Sequence, residues 1–402
     1  LIAQRGGRVK DIYLDNAAST PVDPQVTEAM HDCLCAEGYG NAAADIHGHG
    51  AVARKLIEQA SVQVAGLING MPQGVIWTSG ATESDNLAIL GVARFRGEMQ
   101  GKHIVTSITE HSAVLEPCRQ LQSEGFDITY LHPDSEGRVT PESVQSALRE
   151  NTILVSLMHV NNEIGVIQDI AAVGQICRDS DTLFHVDAAQ SAGRLALDVV
   201  AQNIDLLSLS AHKMYGPKGI GVLYLNPQRI SRLQPLMYGG GHQRGLRPGT
   251  LPTHQIVGMG MACEIARTAV DSESAEIERL RETLWSEIAT LPGLIRNSTN
   301  ADTVCGILSV SVAEVEGESL IHALRGLSVS SGSACNTASD DASYVLRALG
   351  RHDSLAESTI RFSLGRYTTA KEVAEAAAVF RNAVTELRCY VSRMGEVIEH
   401  AV

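Results

Sequence analysis

The sequence predicts an α/β protein with a large, doubly wound domain on a mostly parallel sheet and a smaller α+β domain. Continuous apolar runs such as 152–158 and 204–210 alternate with helical stretches over much of the chain. Runs of this kind are typical of strands buried on both faces of a parallel sheet. Near residue 252 this alternation gives way to longer helices, which indicates a second domain. We expect the large domain over 16–255 and the small one over 1–15 and 256–402.

The elements of the large domain follow in a regular β-then-α order. Each apolar run is followed by a small-residue turn or by a helical stretch, and ligands of such sheets bind at the carboxyl ends of the strands. Helices are expected at 81–95, after the first strand, and at 112–124, after the second. The expected strands are 74–80, 102–107, 127–131, 152–158, 183–188, 204–210 and 219–225.

The small domain begins with helical segments and continues with shorter alternating elements. Pro252 opens one helical segment, since proline is well tolerated in a first helical turn. A second, amphipathic segment follows at 274–291. The remaining expectations are a strand at 306–312, a helix at 317–325, a strand at 359–365 and a last helix near Thr369.

Composition excludes several classes of function. The 402 residues carry a formal net charge of −14, which argues against a general nucleic-acid binder. The sequence contains no run of 18 apolar residues that would predict a membrane span, and it does not begin with a signal-peptide pattern. We therefore expect a cytoplasmic protein. The eight cysteines are expected to be free thiols. Cys33 and Cys35 lack a second cysteine pair, so we expect no metal site.

Lys213 is the first candidate for chemistry. It follows the apolar run 204–210 and enters a turn rich in glycine and proline. Partial burial there would lower the pKa of the amine and make it available for a Schiff base. The alternative is a solvated lysine at the end of a strand.

Three further features stand at predicted strand ends. Asp187 is placed to pair with a protonated pyridine nitrogen, or merely to cap a helix. The stretch TSGATES at 78–84 offers backbone N–H groups at a helix start to a phosphate, unless it is an ordinary capped helix. His111 follows another strand, where a lone histidine is often structural. Together with Lys213, these features indicate a pyridoxal phosphate (PLP) site.

Cys335 has an unusual setting in the segment SSGSACNTASDD, residues 330–341. All its neighbours are small or polar. A nucleophilic thiol needs thiolate character and access, which this setting permits. The alternative is a small buried hydrophobic residue. Composition therefore makes Cys335 only a candidate.

The longer motifs identify a family. The chain resembles the cysteine desulfurases of the NifS/IscS type, which are fold-type I PLP enzymes, and the resemblance covers nearly its whole length. The fold it implies is that of the fold-type I PLP transferases. The motifs are YLDNAASTPVDP, TSGATESDNLAI, TEHSAVLEPCRQL, MHVNNEIGVIQDI, HVDAAQSAG, SAHKMYGPKGIG, GGGHQRGLRPGT, SSGSACNTAS, SYVLRALG and RFSLGR.

The resemblance implies a role for each matching residue. Lys213 would bind PLP through a Schiff base, His111 would lie against the ring and assist proton transfers, and the Cys335 thiolate would accept sulfur as a persulfide. The other implied contacts are Asp187 with the pyridine nitrogen, Gln190 with the phenolic oxygen, Asn162 near cofactor and substrate, Ala81, Thr82, Ser210 and His212 with the phosphate, Thr250 with the phosphate of the partner subunit's cofactor, and Arg361 with the substrate carboxylate.

The implied reaction converts L-cysteine to L-alanine and passes the sulfur to an acceptor, such as an Fe–S scaffold or a sulfur carrier protein. The implied role of Thr250 makes the protein a homodimer with shared sites. Two alternatives stay open at this point. A selenocysteine lyase or another transaminase-like PLP enzyme would share the Lys213 site without needing Cys335. A regulator or assembly subunit that merely retains the fold would not bind PLP.

Overall fold

A computed structural model describes residues 11–35, 38–44, 46–97, 99–299, 301–331 and 342–399, with the backbone alone over 391–399. Cys335 lies outside these residues. Among the helices that are described, none is long and apolar enough to cross a membrane.

Most of the residues predicted to be functional lie on the strands or shortly after their ends. The strands are β1 (Ile12–Tyr13), β2 (Val75–Thr78), β3 (His103–Ser107), β4 (Asp127–Leu131), β5 (Thr152–Met158), β6 (Leu183–Asp187), β7 (Leu206–Ser210), β8 (Gly221–Leu225), β9 (Leu294–Arg296), β10 (Ile307–Val312), β11 (Leu327–Ser328), β12 (Ser330–Ser331) and β13 (Thr359–Ser363).

The helices follow most strands, as the sequence predicted for 81–95 and 112–124. They are α1 (Pro24–Cys35), α2 (Gly48–Leu67), α3 (Ala81–Arg96), α4 (Ser112–Ser123), α5 (Pro141–Ala147), α6 (Ile170–Asp179), α7 (Thr253–Ile288), α8 (Gly317–Ala323), α9 (Tyr344–Ala348), α10 (Asp353–Glu357) and α11 (Ala370–Glu399).

The chain divides into two compact units. The large-sheet unit comprises residues 19–162 and 166–272, and the small-sheet unit comprises the described residues among 1–18, 163–165 and 273–402. The last boundary falls inside α7. The domain bounds that we inferred from the sequence, with a change at 255/256, stay a prediction.

The large-sheet unit has one seven-stranded sheet in the order β2-β8-β7-β6-β5-β3-β4. The pairs from β7 through β4 are parallel, which confirms the expected mostly parallel sheet. β8 runs antiparallel to both β7 and β2, a direction that its apolar run could not reveal. Two antiparallel steps restore the direction of β2, so the carboxyl ends of β2, β3, β5, β6 and β7 share one edge.

The sheet is buried on both faces, which explains the continuous apolar runs. All seven residues of β5 are buried. Val155 and Leu157 pack in one apolar cluster, and Leu154 packs in the other. Each such side chain stabilises the fold by about 1.5–3 kcal/mol. The polar residues that matter for function therefore stand beyond the strands, at their ends.

The small-sheet unit is built on short antiparallel pairings. Its four-stranded sheet has the order β12-β13-β10-β9, and β1 pairs with β11 in parallel. The two helical segments expected after residue 252 form one continuous helix, α7, of 36 residues. No glycine or proline interrupts 262–288, so nothing there breaks the helix.

Candidate functional site

Four neighbouring parallel strands deliver polar side chains to one edge of the large sheet. His111 follows β3, Asn162 follows β5, Asp187 ends β6 and Lys213 follows β7. The strands lie in the order β7-β6-β5-β3, so these residues come from adjacent strand ends. The structure therefore brings together residues that are far apart in the sequence.

Lys213 is held in a short 3₁₀ turn, Ala211–Lys213, directly after β7. The residue is half-buried. Burial lowers the pKa of His111 and of His212, and the positive charge of Lys213 lowers both further; burial raises the pKa of Asp85, and the same charge opposes that rise. The amine is thus close enough to act electrostatically on all three groups.

His111 is oriented by the helix that it caps. Its Nδ1 accepts a hydrogen bond from the backbone N–H of Ala113 at 3.1 Å. Burial lowers the pKa of His111, and the charge of Lys213 lowers it further. The neutral ring with Nδ1 as acceptor carries its proton on Nε2. His111 thus has a defined donor atom, Nε2–H.

Asp187 and Gln190 are fixed by short local contacts. Asp187 is buried, and its Oδ1 accepts from the backbone N–H of Ala189 at 2.8 Å. Gln190 is also buried, and its Oε1 accepts from Arg194 Nη1 at 2.9 Å. Sequence reasoning missed Arg194, because a spacing of four indicates contact only on a helix and these residues lie in turns.

The start of α3 and the end of β7 fit a phosphate group. The N-cap residue of α3 is Gly80, which has no side chain to cap the helix start at Ala81 and Thr82. A Cβ on Gly221 would lie only 2.6 Å from Gly80 Cα, so the close approach of β8 to this turn requires glycine. Within the part of the chain that the structure describes, the buried Ser210 Oγ has no hydrogen-bond partner. Phosphate oxygens would satisfy that hydroxyl and the uncapped N–H groups.

His212 adds a neutral side chain to this region. Its Nδ1 lies 3.2 Å from Ser19 Oγ, and burial lowers the pKa of His212 to about 4. Glu83, in the first turn of α3, would repel an anion. Its carboxylate is instead paired with Arg247, at 2.9 Å between Nε and Oε1. The residues present therefore fit the phosphorylated cofactor that the sequence motifs imply.

Sequence reasoning missed a group of buried acids behind Asp187. Asp85 and Glu110 are fully buried, and burial raises the pKa of both carboxyl groups, with the charge of Asp187 adding to the rise. Both acids therefore favour their protonated forms. His185 Nε2 lies 3.5 Å from Asp85 Oδ1, but burial lowers the pKa of His185 to about 3, so this contact is not an ion pair. Only their burial distinguishes these acids from acids at the surface, and burial is seen in the structure.

Arg361 belongs to the small-sheet unit. It lies on β13, it is buried, and its Nη2 donates to Asp15 Oδ1 at 2.9 Å and to Ser330 Oγ at 3.0 Å. A carboxylate of the protein itself thus already contacts the guanidinium that the motifs assign to a substrate carboxylate. Asp15 was not predicted, although it lies in the motif YLDNAASTPVDP.

Thr250 differs from the other predicted cofactor residues because it is exposed. It borders a cavity of about 210 Å³ whose other walls include Cys33, Tyr39 and His254. None of the residues that line this cavity belongs to the set around Lys213.

Three buried cysteines of the large-sheet unit are poor candidates for a nucleophilic thiol. Cys118 and Cys177 are buried, and burial raises the pKa of each thiol to about 12. Cys263 is also buried, which raises the pKa of its thiol further. Over the described residues, no group of three or more His, Cys, Asp and Glu side chains is arranged to hold a metal ion.

Comparison with known proteins places this geometry in a family context. The model of the class-V aminotransferase family matches residues 12–375. A cysteine desulfurase IscS from Shewanella sediminis is 54% identical over 378 residues, which are 94% of this chain and 93% of that protein.

Solved structures give the same result. A NifS-like protein superposes with a TM-score of 0.86 at 35% identity, covering 94% of this chain and all of the other. A structure described as SspA in complex with cysteine superposes with a TM-score of 0.78 at 40% identity, covering 89% and 99% of the two chains. The chain is therefore similar, over most of its length, to a protein named as a cysteine desulfurase, to a NifS-like protein and to SspA.

Proposed function

We propose how the work of catalysis is divided among the residues of this chain, which belongs to the class-V aminotransferase family. The chain is a cysteine desulfurase that depends on PLP. The observation that carries the assignment of residues is the set of side chains at the ends of β3, β5, β6 and β7, beside the uncapped start of α3. This edge offers PLP a lysine, a carboxylate and hydrogen-bond donors for its phosphate.

The cofactor would be held at both ends. Ser210, His212 and the backbone N–H groups of Ala81 and Thr82 would bind the phosphate. Asp187 would pair with the ring nitrogen, and Gln190 would donate to the phenolic oxygen. Gln190 has its Oε1 engaged by Arg194, which orients the amide so that Nε2 is the donor.

The proton transfers would use two groups of defined state. Bound PLP supplies an electron sink for the electrons left at the substrate Cα. Lys213 would bind the cofactor and then, as a free amine, take the proton from that carbon. His111 would donate from Nε2, the atom that carries its proton.

The sulfur step would use groups of the small-sheet unit. Arg361 would bind the substrate carboxylate, and Asn162 would lie near cofactor and substrate. The Cys335 thiolate would attack the substrate sulfur. A new S–S bond forms and the Cβ–S bond breaks, with its electron pair left on the carbon, which takes a proton. L-cysteine and the thiol thus become L-alanine and a persulfide.

We also propose how the protein assembles and which kind of protein receives its sulfur. Because Thr250 is exposed and stands apart from the Lys213 set, it supports a homodimer in which it reaches the partner subunit's cofactor. The acceptor of the persulfide sulfur would be a protein such as an Fe–S scaffold or a sulfur carrier. The cytoplasmic location expected from the sequence stays a prediction.

The experiment is a comparison of Cys335→Ala with Cys389→Ala, a change at an exposed cysteine. L-alanine and sulfide formed from L-cysteine are measured in the presence of a thiol reductant. We expect Cys335→Ala to lose about 10³-fold or more of the rate, as is usual when a nucleophile is removed, and Cys389→Ala to keep it.

The outcome of this experiment separates the alternatives. Retained L-alanine formation in Cys335→Ala would overturn the role of this thiol. A Cys335→Ala enzyme that still processes selenocysteine but not L-cysteine would support the role of the thiol, because L-cysteine alone would then need it. A wild-type enzyme active on selenocysteine alone would favour the lyase.

A further inference from the structure

The residues on both sides of the segment 332–341 are hydrogen-bonded to carboxyl groups, that of the partly buried Asp15 and that of the buried Glu163. Before the segment, Ser330 Oγ on β12 donates to Asp15 Oδ1 at 2.8 Å. After it, Ser343 Oγ, at the N-cap of α9, donates to Glu163 Oε2 at 2.5 Å. Both serines are buried, and all four residues belong to the small-sheet unit.

One guanidinium connects these two attachments. Arg361 Nη2 contacts Asp15 and Ser330 directly. Burial raises the pKa of Glu163, and the charge of Arg361 opposes that rise. The residue proposed to bind the substrate carboxylate therefore acts on the partners of both serines.

The bond between Ser343 and Glu163 is more than helix capping requires. Ser343 Oγ already caps α9 by accepting from the backbone N–H of Leu346 at 3.2 Å. Thr140 caps α5 by the same kind of bond, to the N–H of Ser143 at 3.2 Å. Burial of a carboxyl group is costly, as the pKa of Glu163, raised to about 7, shows. Glu163 thus contributes an attachment that the cap alone does not need.

We propose that Glu163 is a positioning residue for sulfur transfer: by holding Ser343, it fixes the point at which the chain continues after the Cys335 segment. Cys335 stands eight residues before Ser343 in the sequence, and Glu163 directly follows Asn162. The positioning role rests on the proposed role of Cys335 as sulfur acceptor. Glu163 itself is assigned no contact with substrate or cofactor.

The test is a double-mutant cycle of Glu163→Ala and Ser343→Ala, with Glu163→Gln as the conservative variant and Thr140→Ala as the control for a lost cap. Three quantities are measured: the single-turnover rate of Cys335 persulfide formation, the affinity for L-cysteine, and the rate of Cys335 alkylation by iodoacetamide without substrate. Peptide mass spectrometry locates the label. Alkylation does not depend on turnover.

We expect Ser343→Ala to slow persulfide formation about tenfold, the value of one charged hydrogen bond, while L-cysteine affinity changes less than about twofold. Alkylation of Cys335 should change in rate in the same variant. Glu163→Ala should have a similar effect on persulfide formation, and the double variant should be no slower than either single one. Glu163→Gln, which retains an acceptor oxygen, and Thr140→Ala should stay near the wild type.

Two results would overturn the positioning role. One is wild-type persulfide formation and alkylation in Ser343→Ala. The other is additive losses in the double variant, which would mean that the two residues act independently. If Glu163→Ala fails to fold, Ser343→Ala still tests the positioning role through its rates of persulfide formation and alkylation. Ser343→Ala combined with Glu163→Gln should then be no slower than Ser343→Ala alone, and a slower double variant counts against the role.

Failure of the proposed function is recognised separately. If Cys335→Ala still forms L-alanine from L-cysteine, the thiol is not the acceptor, whatever the Glu163 variants do. If Cys335→Ala is inactive and the Ser343 and Glu163 variants are as fast as the wild type, only the positioning role fails.

Discussion

The buried acids of the two units differ in the neighbouring groups that shift their pKa. Asp85 and Glu110, in the large-sheet unit, have Asp187 as a charged neighbour, which adds to the rise in pKa that burial causes. Glu163, in the small-sheet unit, has Ser343 and Arg361, which oppose the rise and leave its pKa at about 7. Burial, with like charge adding to it, keeps the first two acids protonated, while a hydroxyl donor and a cation let the third titrate near neutrality.

The protonation state of a buried acid is therefore not set by burial alone. In the large-sheet unit, protonated acids limit the negative charge beside Asp187, which is proposed to pair with the cofactor nitrogen. In the small-sheet unit, the carboxyl groups of Asp15 and Glu163 instead bind Arg361 and the serines around the Cys335 segment. The neighbours of each acid therefore decide whether it stores a proton or forms a charged contact.

Removing Lys213 is expected to have the largest effect. Lys213→Ala removes the amine that would bind PLP and accept the substrate proton, so L-alanine formation should fall about 10⁴-fold or more. The near-visible absorbance of the lysine-bound cofactor should also be lost. Lys218→Ala, at an exposed position five residues further along the chain, is the control and should keep both properties. An active Lys213→Ala enzyme would mean that another group performs these steps.

The pH dependence of stability sharpens the contrast between the acids. The pKa of Glu163 is raised to about 7, so the folded protein keeps a proton that the unfolded chain releases above about pH 4.5. This costs stability progressively as the pH rises from about 4.5 to 7, by roughly 3 kcal/mol in total, and the cost is constant above that range. Glu163→Gln cannot titrate, so its stability relative to wild type should rise across this window and then level off.

Thermal melting of the two proteins at successive pH values measures this difference. Asp85→Asn is the comparison from the large-sheet unit. The pKa of Asp85 is also raised, so its variant should gain relative stability with rising pH in the same direction. A Glu163→Gln difference that does not change between pH 5 and 7 would show that Glu163 does not titrate there.

A smaller effect is expected for Arg361→Lys. Lysine keeps the positive charge but loses the planar fork that binds a carboxylate with two bonds, so the KM for L-cysteine should rise about tenfold with a smaller change in kcat. Arg347→Lys, which alters an exposed pair with Asp353, should leave the KM unchanged. A wild-type KM in Arg361→Lys would assign the substrate carboxylate to another group.

Much of the large-sheet unit was predictable from local pattern. The apolar runs at 152–158 and 204–210 became β5 and β7, and Lys213, Asp187 and His111 stand at strand ends as expected. The prediction worked because a strand buried on both faces must be apolar throughout, so its first polar neighbours mark its ends. The direction of β8 was not predictable, since an apolar strand has the same composition in either orientation.

The sequence by itself determined the family and the cofactor, and it predicted most of the residues proposed to bind that cofactor, because these lie in continuous motifs. Only the tertiary structure showed that Asp85 and Glu110 are buried beside Asp187, that Asp15 contacts Arg361, and that Glu163 holds Ser343. The bonded partners are separated by 346 positions in the pair Asp15–Arg361 and by 180 in Glu163–Ser343. No local pattern encodes such pairs, because the state of a buried charge depends on which distant groups the fold places against it.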